Sequence, residues 1–317
     1  SAANPAIKFR YVRSGLEITG KHKQASEARK IYDYYNDLVT EIKLEAKIDG
    51  SDVVGHTEPF GVFVELRHTR EIERESGGFG RYLQNQQNGN AFYYNYGRPL
   101  ANYRDKFEEG IRQALEEHFE VLSVTFQHED VNSRARADEY GWRVTPYAYL
   151  LLQARGPEAD TLPGLQLNLD FLDTSGYVII PIASTAVPLD ASPKQGTPRP
   201  LQEVSITQTL DERQADEGKL ILELKAVGKG LVPQFEDLVD LDSKGFTVAN
   251  SQDQGLSVSE FDAESRGASQ IISERTWMIT LSATTDSENR PETFAFAQSK
   301  SDDTKMIYQR FADADLV

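Results

Sequence analysis

From Leu38 to Ile48 the chain alternates, with Leu38, Thr40, Ile42, Leu44, Ala46 and Ile48 on one side and Glu41, Lys43, Glu45 and Lys47 on the other. A period of two is the mark of a half-buried antiparallel strand. Asp49-Gly50 then supplies turn chemistry, and Val62, Val64 and Leu66 resume the alternation. Further strands are expected at Val121 to Gln127, Arg143 to Ala154, Leu165 to Leu172 and Tyr177 to Ile182. One helix interrupts them. Tyr103, Phe107, Ile111, Leu115 and Phe119 recur at helical spacing with Ala114 and His118 beside them, while Glu108, Glu109, Arg112 and Glu116 take the wet side. The helix is predicted over residues 102–119, with Asn102 as N-cap and Asp105 in its first turn.

Between Thr185 and Leu201 the periodicity fades into Thr-Ala-Val-Pro-Leu-Asp-Ala-Ser-Pro-Lys-Gln-Gly-Thr-Pro-Arg-Pro-Leu. Proline density stiffens such a stretch into an extended connector, so a boundary is expected at residues 187–201. Beyond it, Val204 and Ile206 open a strand, and Leu220, Leu222, Leu224 and Ala226 alternate with Ile221, Glu223, Lys225 and Val227. Strands are then expected at Gly245 to Ala249, Leu256 to Phe261, Ile271 to Leu281, around Phe294 and Phe296, and at Met306 to Phe311. Roughly six or seven short strands separated by Gly, Asp, Ser and Asn in about 110 residues is the pattern of a sandwich. The prediction is a mainly β chain of two sandwich domains: residues 1–186 with the inserted helix, and an immunoglobulin-like sandwich over 202–317.

Two segments also match each other. Leu150, Leu152, Ala154, Gly156, Pro163, Asp170 and Gly176 pair with Leu222, Leu224, Ala226, Gly228, Pro233, Asp240 and Gly245, the spacing differing only in the loops. Either the halves are related modules, or β segments simply share Leu, Gly and Pro at such frequencies. The run Lys219 to Gly228, with Leu231-Val232-Pro233, Gly245-Phe246-Thr247-Val248 and Arg275-Thr276-Trp277, resembles the tandem immunoglobulin-like ectodomain repeats of BatD-type bacterial aerotolerance proteins. The resemblance covers mainly the second domain. It implies an outward-facing, membrane-anchored protein that works with protein partners of the cell envelope rather than as an enzyme, and it transfers no functional residue.

Composition narrows the chemistry. With 317 residues the chain is long enough for about two domains. Its 34 Lys and Arg stand against 50 Asp and Glu, a net charge of −16 with no local basic groove, so nucleic acid is an unsuitable partner. No apolar run approaches the ~18 residues that span a bilayer, which predicts a soluble chain as given. It starts at Ser1 and stops at Val317 with neither an initiator Met nor a targeting segment, as expected of a processed periplasmic or extracellular ectodomain whose anchor is absent. Zero Cys removes disulfides, thiol catalysis and Cys-based metal sites.

Enzyme motifs fail their physical requirements. Gly77-Gly78-Phe79-Gly80 lacks the Lys-Ser/Thr of a phosphate cradle, and the five His at 22, 56, 68, 118 and 128 are too far apart to share a helix face around zinc. His128-Glu129-Asp130 reads as a solvated loop and His118 as a packed or half-exposed side chain. No Gly-x-Ser-x-Gly elbow occurs, although a triad or carboxylate pair assembled from distant residues stays open. Asp237, Asp240 and Asp242, like Asp170 and Asp173, offer oxygen ligands for calcium, but Asp is also what a tight turn selects. The expectation is no metal, no cofactor and no catalytic residue. Phe92-Tyr93-Tyr94-Asn95-Tyr96-Gly97-Arg98-Pro99 concentrates rings beside a cation. Tyr93, Tyr94, Tyr96 and Arg98 are therefore the candidate ligand-binding residues, able to stack on sugars or anchor a protein partner, or else to cover the helix. A non-catalytic interaction or scaffold role in the envelope is expected, with a carbohydrate-binding accessory module as the alternative.

Overall fold

The computed structural model describes residues 26, 29–30, 42–69, 103–127, 136–137, 142–173, 176–242, 245–262, 269–284 and 294–312. The chain is mainly β and divides into two compact units, Ser1–Pro198 with Phe261–Ser269, and Arg199–Glu260 with Gln270–Val317.

The first unit contains β1 (Ile42–Ile48), β2 (Phe60–His68), α1 (Tyr103–Leu115), β3 (Phe119–Phe126), β4 (Arg136–Ala137), β5 (Arg143–Ala154), β6 (Thr161–Leu162), β7 (Gln166–Asp173), β8 (Gly176–Ala183) and β9 (Val187–Pro188). Its main sheet runs β1-β2-β5-β3 with every pair antiparallel, and β4 also pairs with β5. Ile42, Leu44, Val62, Val64, Leu150 and Leu152 face a core closed by Phe107, Ile111 and Leu115 of α1 and by Leu167 and Ile182 of the β7–β8 hairpin. Phe63, Tyr149 and Leu151 turn the other way and are buried too, the first two against Phe261. Burial on both faces explains why β2 and β5 are nearly continuous apolar runs rather than alternations. On that second face Gly61 lets the Tyr149 hydroxyl pass: a Cβ at 61 would stand 1.7 Å from Oη. The hydroxyl goes on to donate to buried Asp49 at 2.9 Å.

The helix is shorter than its apolar spacing predicts. It ends at Leu115, His118 N–H closes a turn onto the Leu115 carbonyl, and Phe119 is the first residue of β3. Arg155 Nε donates to the Glu116 and Phe119 carbonyls, which lie beyond the end of the helix and have no partner within it. Phe119 keeps its place in the core against Phe60, which is why helical and strand periodicity could not be told apart there. Ala114 and His118 are exposed rather than packed.

The proline-rich stretch is not a free connector over its whole length. Val187 and Pro188 pair with Leu162 and Thr161, and Asp190, Gln195 and Pro198 bridge to Val53, Gly55 and Gly50. Leu189 and Ala191 are buried in the first core. Extended chain with few N–H groups to satisfy serves well as an edge. The first unit ends its main segment at Pro198 and takes in Phe261–Ser269 as well.

The second unit contains β10 (Gln202–Asp211), β11 (Lys219–Lys229), α2 (Phe235–Leu238), β12 (Val239–Asp240), β13 (Phe246–Asp262, whose last two residues belong to the first unit), β14 (Gln270–Ala283), β15 (Gln298–Ser299) and β16 (Lys305–Phe311). The sheet order is β13-β14-β11-β10-β16, with β16 parallel to β10, and β12 pairs separately with β15. One face carries Ile206, Leu210, Leu220, Leu222, Leu224, Ala226, Trp277, Ile279 and Leu281. Phe235, Leu238, Val239, Phe294 and Ala297 cover it, giving a sandwich-like core with a small second layer. The two strands expected between Gly245 and Phe261 are one, because Gly255 at φ +91° carries the chain through what reads as a break, its N–H held by Asp253. Phe294 and Phe296 lie in irregular chain ahead of β15.

The matched segments share only their first strand. Leu150, Leu152 and Ala154 on β5, and Leu222, Leu224 and Ala226 on β11, all face cores, but β8 returns to β7 in a hairpin whereas β13 joins the main sheet beside β14.

Candidate functional site

A sheet edge that exposes rings on both of its faces is the feature most suited to recognition. β16 is the last strand of its sheet and pairs with β10 without a break from Ser205↔Lys305 to Asp211↔Phe311. Its even residues, Met306, Tyr308 and Arg310, lie opposite core-facing Ile206, Gln208 and Leu210. Its odd residues, Lys305, Ile307, Gln309 and Phe311, lie on the other face. An edge strand cannot cover both sets: Tyr308 stays 52% and Phe311 47% exposed.

The even face is held by packed rings and an ion pair. Phe246, Phe294, Phe296 and Tyr308 form a relay of rings with successive centroids 5.9, 5.7 and 4.9 Å apart, running from the core to the surface. The Arg310 guanidinium lies 5.2 Å from the Phe296 centroid, donates to the Phe294 carbonyl at 3.2 Å, and meets Glu212 at 3.2 Å. Cation, ring stack and carboxylate thus hold Tyr308 and Arg310 in one arrangement before any ligand arrives. Beneath Tyr308, buried Gln208 clamps Ala297, donating to its carbonyl at 2.7 Å and accepting from its N–H at 2.9 Å. This glutamine does for one residue what a neighbouring strand would do.

Comparison of the chain with protein-family models and with curated proteins finds no match.

The edge offers flat rings, one fixed cation and a line of backbone groups, the means of binding an extended chain or a sugar rather than of moving protons. Tyr93, Tyr94, Tyr96 and Arg98 lie outside the described residues, as do Gly77 to Gly80 and His128 to Asp130. His118 is exposed on the turn after α1. Asp237, Asp240 and Asp242 are exposed, Asp240 facing Lys300 Nζ at 3.3 Å, and among the described residues no three acidic or His side chains gather to hold a metal. No helix among them is long and apolar enough to cross a membrane.

Other polar groups are enclosed. His68 Nε2 stands 2.8 Å from Thr145 Oγ1, the spacing of a hydroxyl and its base, but both side chains are buried in the first core, so no substrate reaches them. A recess edged by Asp49, Ser51, Glu58 and Pro198 has room for about one water. Arg275 is buried on the core face of β14, bonded to Asp253 and to Gln234 at 2.8 Å, with its guanidinium 5.6 Å from the Trp277 ring centroid. Burial raises the Asp253 pKa, but the bonds from Arg275 and the Gly255 N–H outweigh it and hold the carboxyl below its ordinary value.

Sequence reasoning marked Met306 to Phe311 as a strand and missed it as a site. The available signal was apolar residues at both parities, Met306 and Tyr308 against Ile307 and Phe311, in a strand near the end of the chain.

Proposed function

We propose that this chain is a non-catalytic interaction or scaffold protein of the bacterial cell envelope, built from two immunoglobulin-like modules, that engages a protein partner along β16. The supporting observation is the half-exposed Tyr308 beside Arg310 and Phe296 on a strand that ends its sheet among the described residues. The placement outside the cytoplasm, and an anchor in the full-length protein, rest on the resemblance of residues 219–277 to BatD-type ectodomain repeats.

The same stack of Tyr308 on Phe296 beside a cation suits a sugar face, which keeps a carbohydrate-binding module as the second reading. A photo-crosslinking amino acid at exposed Gln309, activated on cells carrying the full chain, separates the two. Reproducible attachment to one polypeptide, identified by mass spectrometry and lost on Tyr308→Ala, supports the proposal. Selective binding on a glycan array that Tyr308→Ala abolishes replaces it with the second reading. Turnover in an activity screen that vanishes on changing one polar residue overturns both.

A further inference from the structure

We infer that the partner at β16 is a second copy of this chain, joined antiparallel along the strand about a two-fold axis through Tyr308. The inference rests on the reading of β16 as an interaction surface and deepens it.

The backbone supplies the first reason. The Phe311 carbonyl accepts from Glu212 N–H at 2.9 Å, so residue 311 turns its polar groups toward β10. Strand geometry repeats every two residues, which turns 309 and 307 the same way and leaves the N–H and C=O of Met306, Tyr308 and Arg310 pointing out of the sheet. An antiparallel neighbour centred on Tyr308 meets its own outward groups, making about six backbone hydrogen bonds.

The side chains supply the second. In that register Lys305 faces the other copy's Phe311, Met306 its Arg310, Ile307 its Gln309, and Tyr308 its Tyr308. No cation faces a cation. Both exposed rings are covered, Tyr308 by its symmetry mate and Phe311 by a lysine, contacts of the kind that stabilise cross-strand pairs. An isologous contact of this kind closes on itself rather than growing into a filament.

The third reason is the contrast between the two edges of the sheet. β13, at the far edge, has the polar stretch Asn250-Ser251-Gln252-Asp253-Gln254 and a left-handed Gly255. Such features discourage pairing. β16 has no proline and no glycine, and its ladder shows no register shift. A seven-residue strand contact is small for a specific interface, so micromolar association is expected.

The test is sedimentation of the full chain across roughly 1 to 300 μM, a range that brackets affinities of small interfaces. A reversible monomer–dimer equilibrium is expected for the wild type. Phe311→Lys places like charges opposite each other twice per dimer and should weaken association at least tenfold. Phe311→Glu makes the chain more acidic yet faces Lys305, and should associate as well as the wild type or better. Tyr308→Pro removes an outward N–H that β10 does not use, and should abolish the dimer. Should that variant misfold, the Phe311 pair decides alone, because residue 311 is half exposed. A wild type that stays monomeric throughout, equal behaviour of the Lys and Glu variants, or a larger assembly overturns the inference. Crosslinking from position 309 keeps the two readings apart. A product of twice the chain mass supports self-pairing, a monomer that captures a different polypeptide overturns self-pairing alone, and a monomer that captures nothing overturns both.

Discussion

Gln208 gives the sharpest test of how the second unit is held together. Its side chain is fully buried between Ile206 and Leu210 on β10, and its amide satisfies both backbone groups of Ala297, which is itself fully buried. Gln208→Leu keeps a side chain of similar size, so no large cavity opens. It leaves one N–H and one C=O without partners, at about 1–3 kcal/mol each. The leucine's extra apolar surface returns about 1–2 kcal/mol, leaving a net loss centred on about 2.5 kcal/mol within a span of about 0–5. Against a domain stability of about 5–15 kcal/mol that is readily measured. The chain has two Trp, and Trp277 lies in the same cluster as Ala297 and Ile206, so urea unfolding followed by fluorescence in a Trp142→Phe background reports on this unit. Gln208→Glu makes the comparison specific. An ionised carboxylate accepts from Ala297 N–H but faces its carbonyl without a proton, so burial and that carbonyl raise the folded-state pKa of the new acid. Its protonated form can donate, and the deficit should therefore shrink as pH falls from about 8 toward 5, where the folded state takes up a proton before the unfolded one. A Gln208→Leu protein within about 0.5 kcal/mol of wild type, or a Glu variant whose deficit does not change with pH, would refute the reasoning.

Gly61→Ala is expected to destabilise the first unit by more than about 3 kcal/mol, read as a lowered thermal midpoint, because its Cβ collides with the Tyr149 hydroxyl. Tyr149→Phe should rescue only part of this, since ring carbon Cζ would still lie 2.3 Å from the new methyl; full rescue would show that the hydroxyl alone sets the constraint. For Asp253, whose folded pKa is depressed, the stabilisation is present above the unfolded value near 4 and is lost as pH falls through the folded one. Asp253→Asn should therefore flatten the pH dependence of the second unit's stability below about pH 4, and an unchanged slope in acid titration would contradict the assignment. Arg155→Ala should cost about 0.5–1.5 kcal/mol in urea unfolding by releasing the Glu116 and Phe119 carbonyls, while Arg155→Lys, with one point donor, should recover less than half of it.

Much of the secondary structure was legible because side-chain period is a local property. Arg143 to Ala154 was expected and found residue for residue, and the remaining long strands were placed to within a few positions. Local period failed where two periods agreed or where backbone chemistry intervened. Phe119 fits a helical stripe and also begins a strand; the chain leaves the helix at Leu115, and Arg155 bonds the Glu116 and Phe119 carbonyls beyond it. The Asp253–Gly255 bend reads as a loop, yet its hydrogen bond keeps β13 continuous.

What the residues determined alone was the β character of the chain, the burial pattern of its strands, and the exclusion of thiol and disulfide chemistry. Those properties follow from composition and from neighbours in sequence. Which strand ends a sheet does not, because a strand's pairing partners are contributed by distant segments. Only the tertiary structure set β16 beside β10 as the last strand of its sheet among the described residues, stacked Tyr308 on Phe296, and bridged residues 190–198 to residues 50–55. The candidate site was out of reach of the sequence because exposure is decided by those long-range pairings, whereas the rings themselves look the same in a core strand and at an edge.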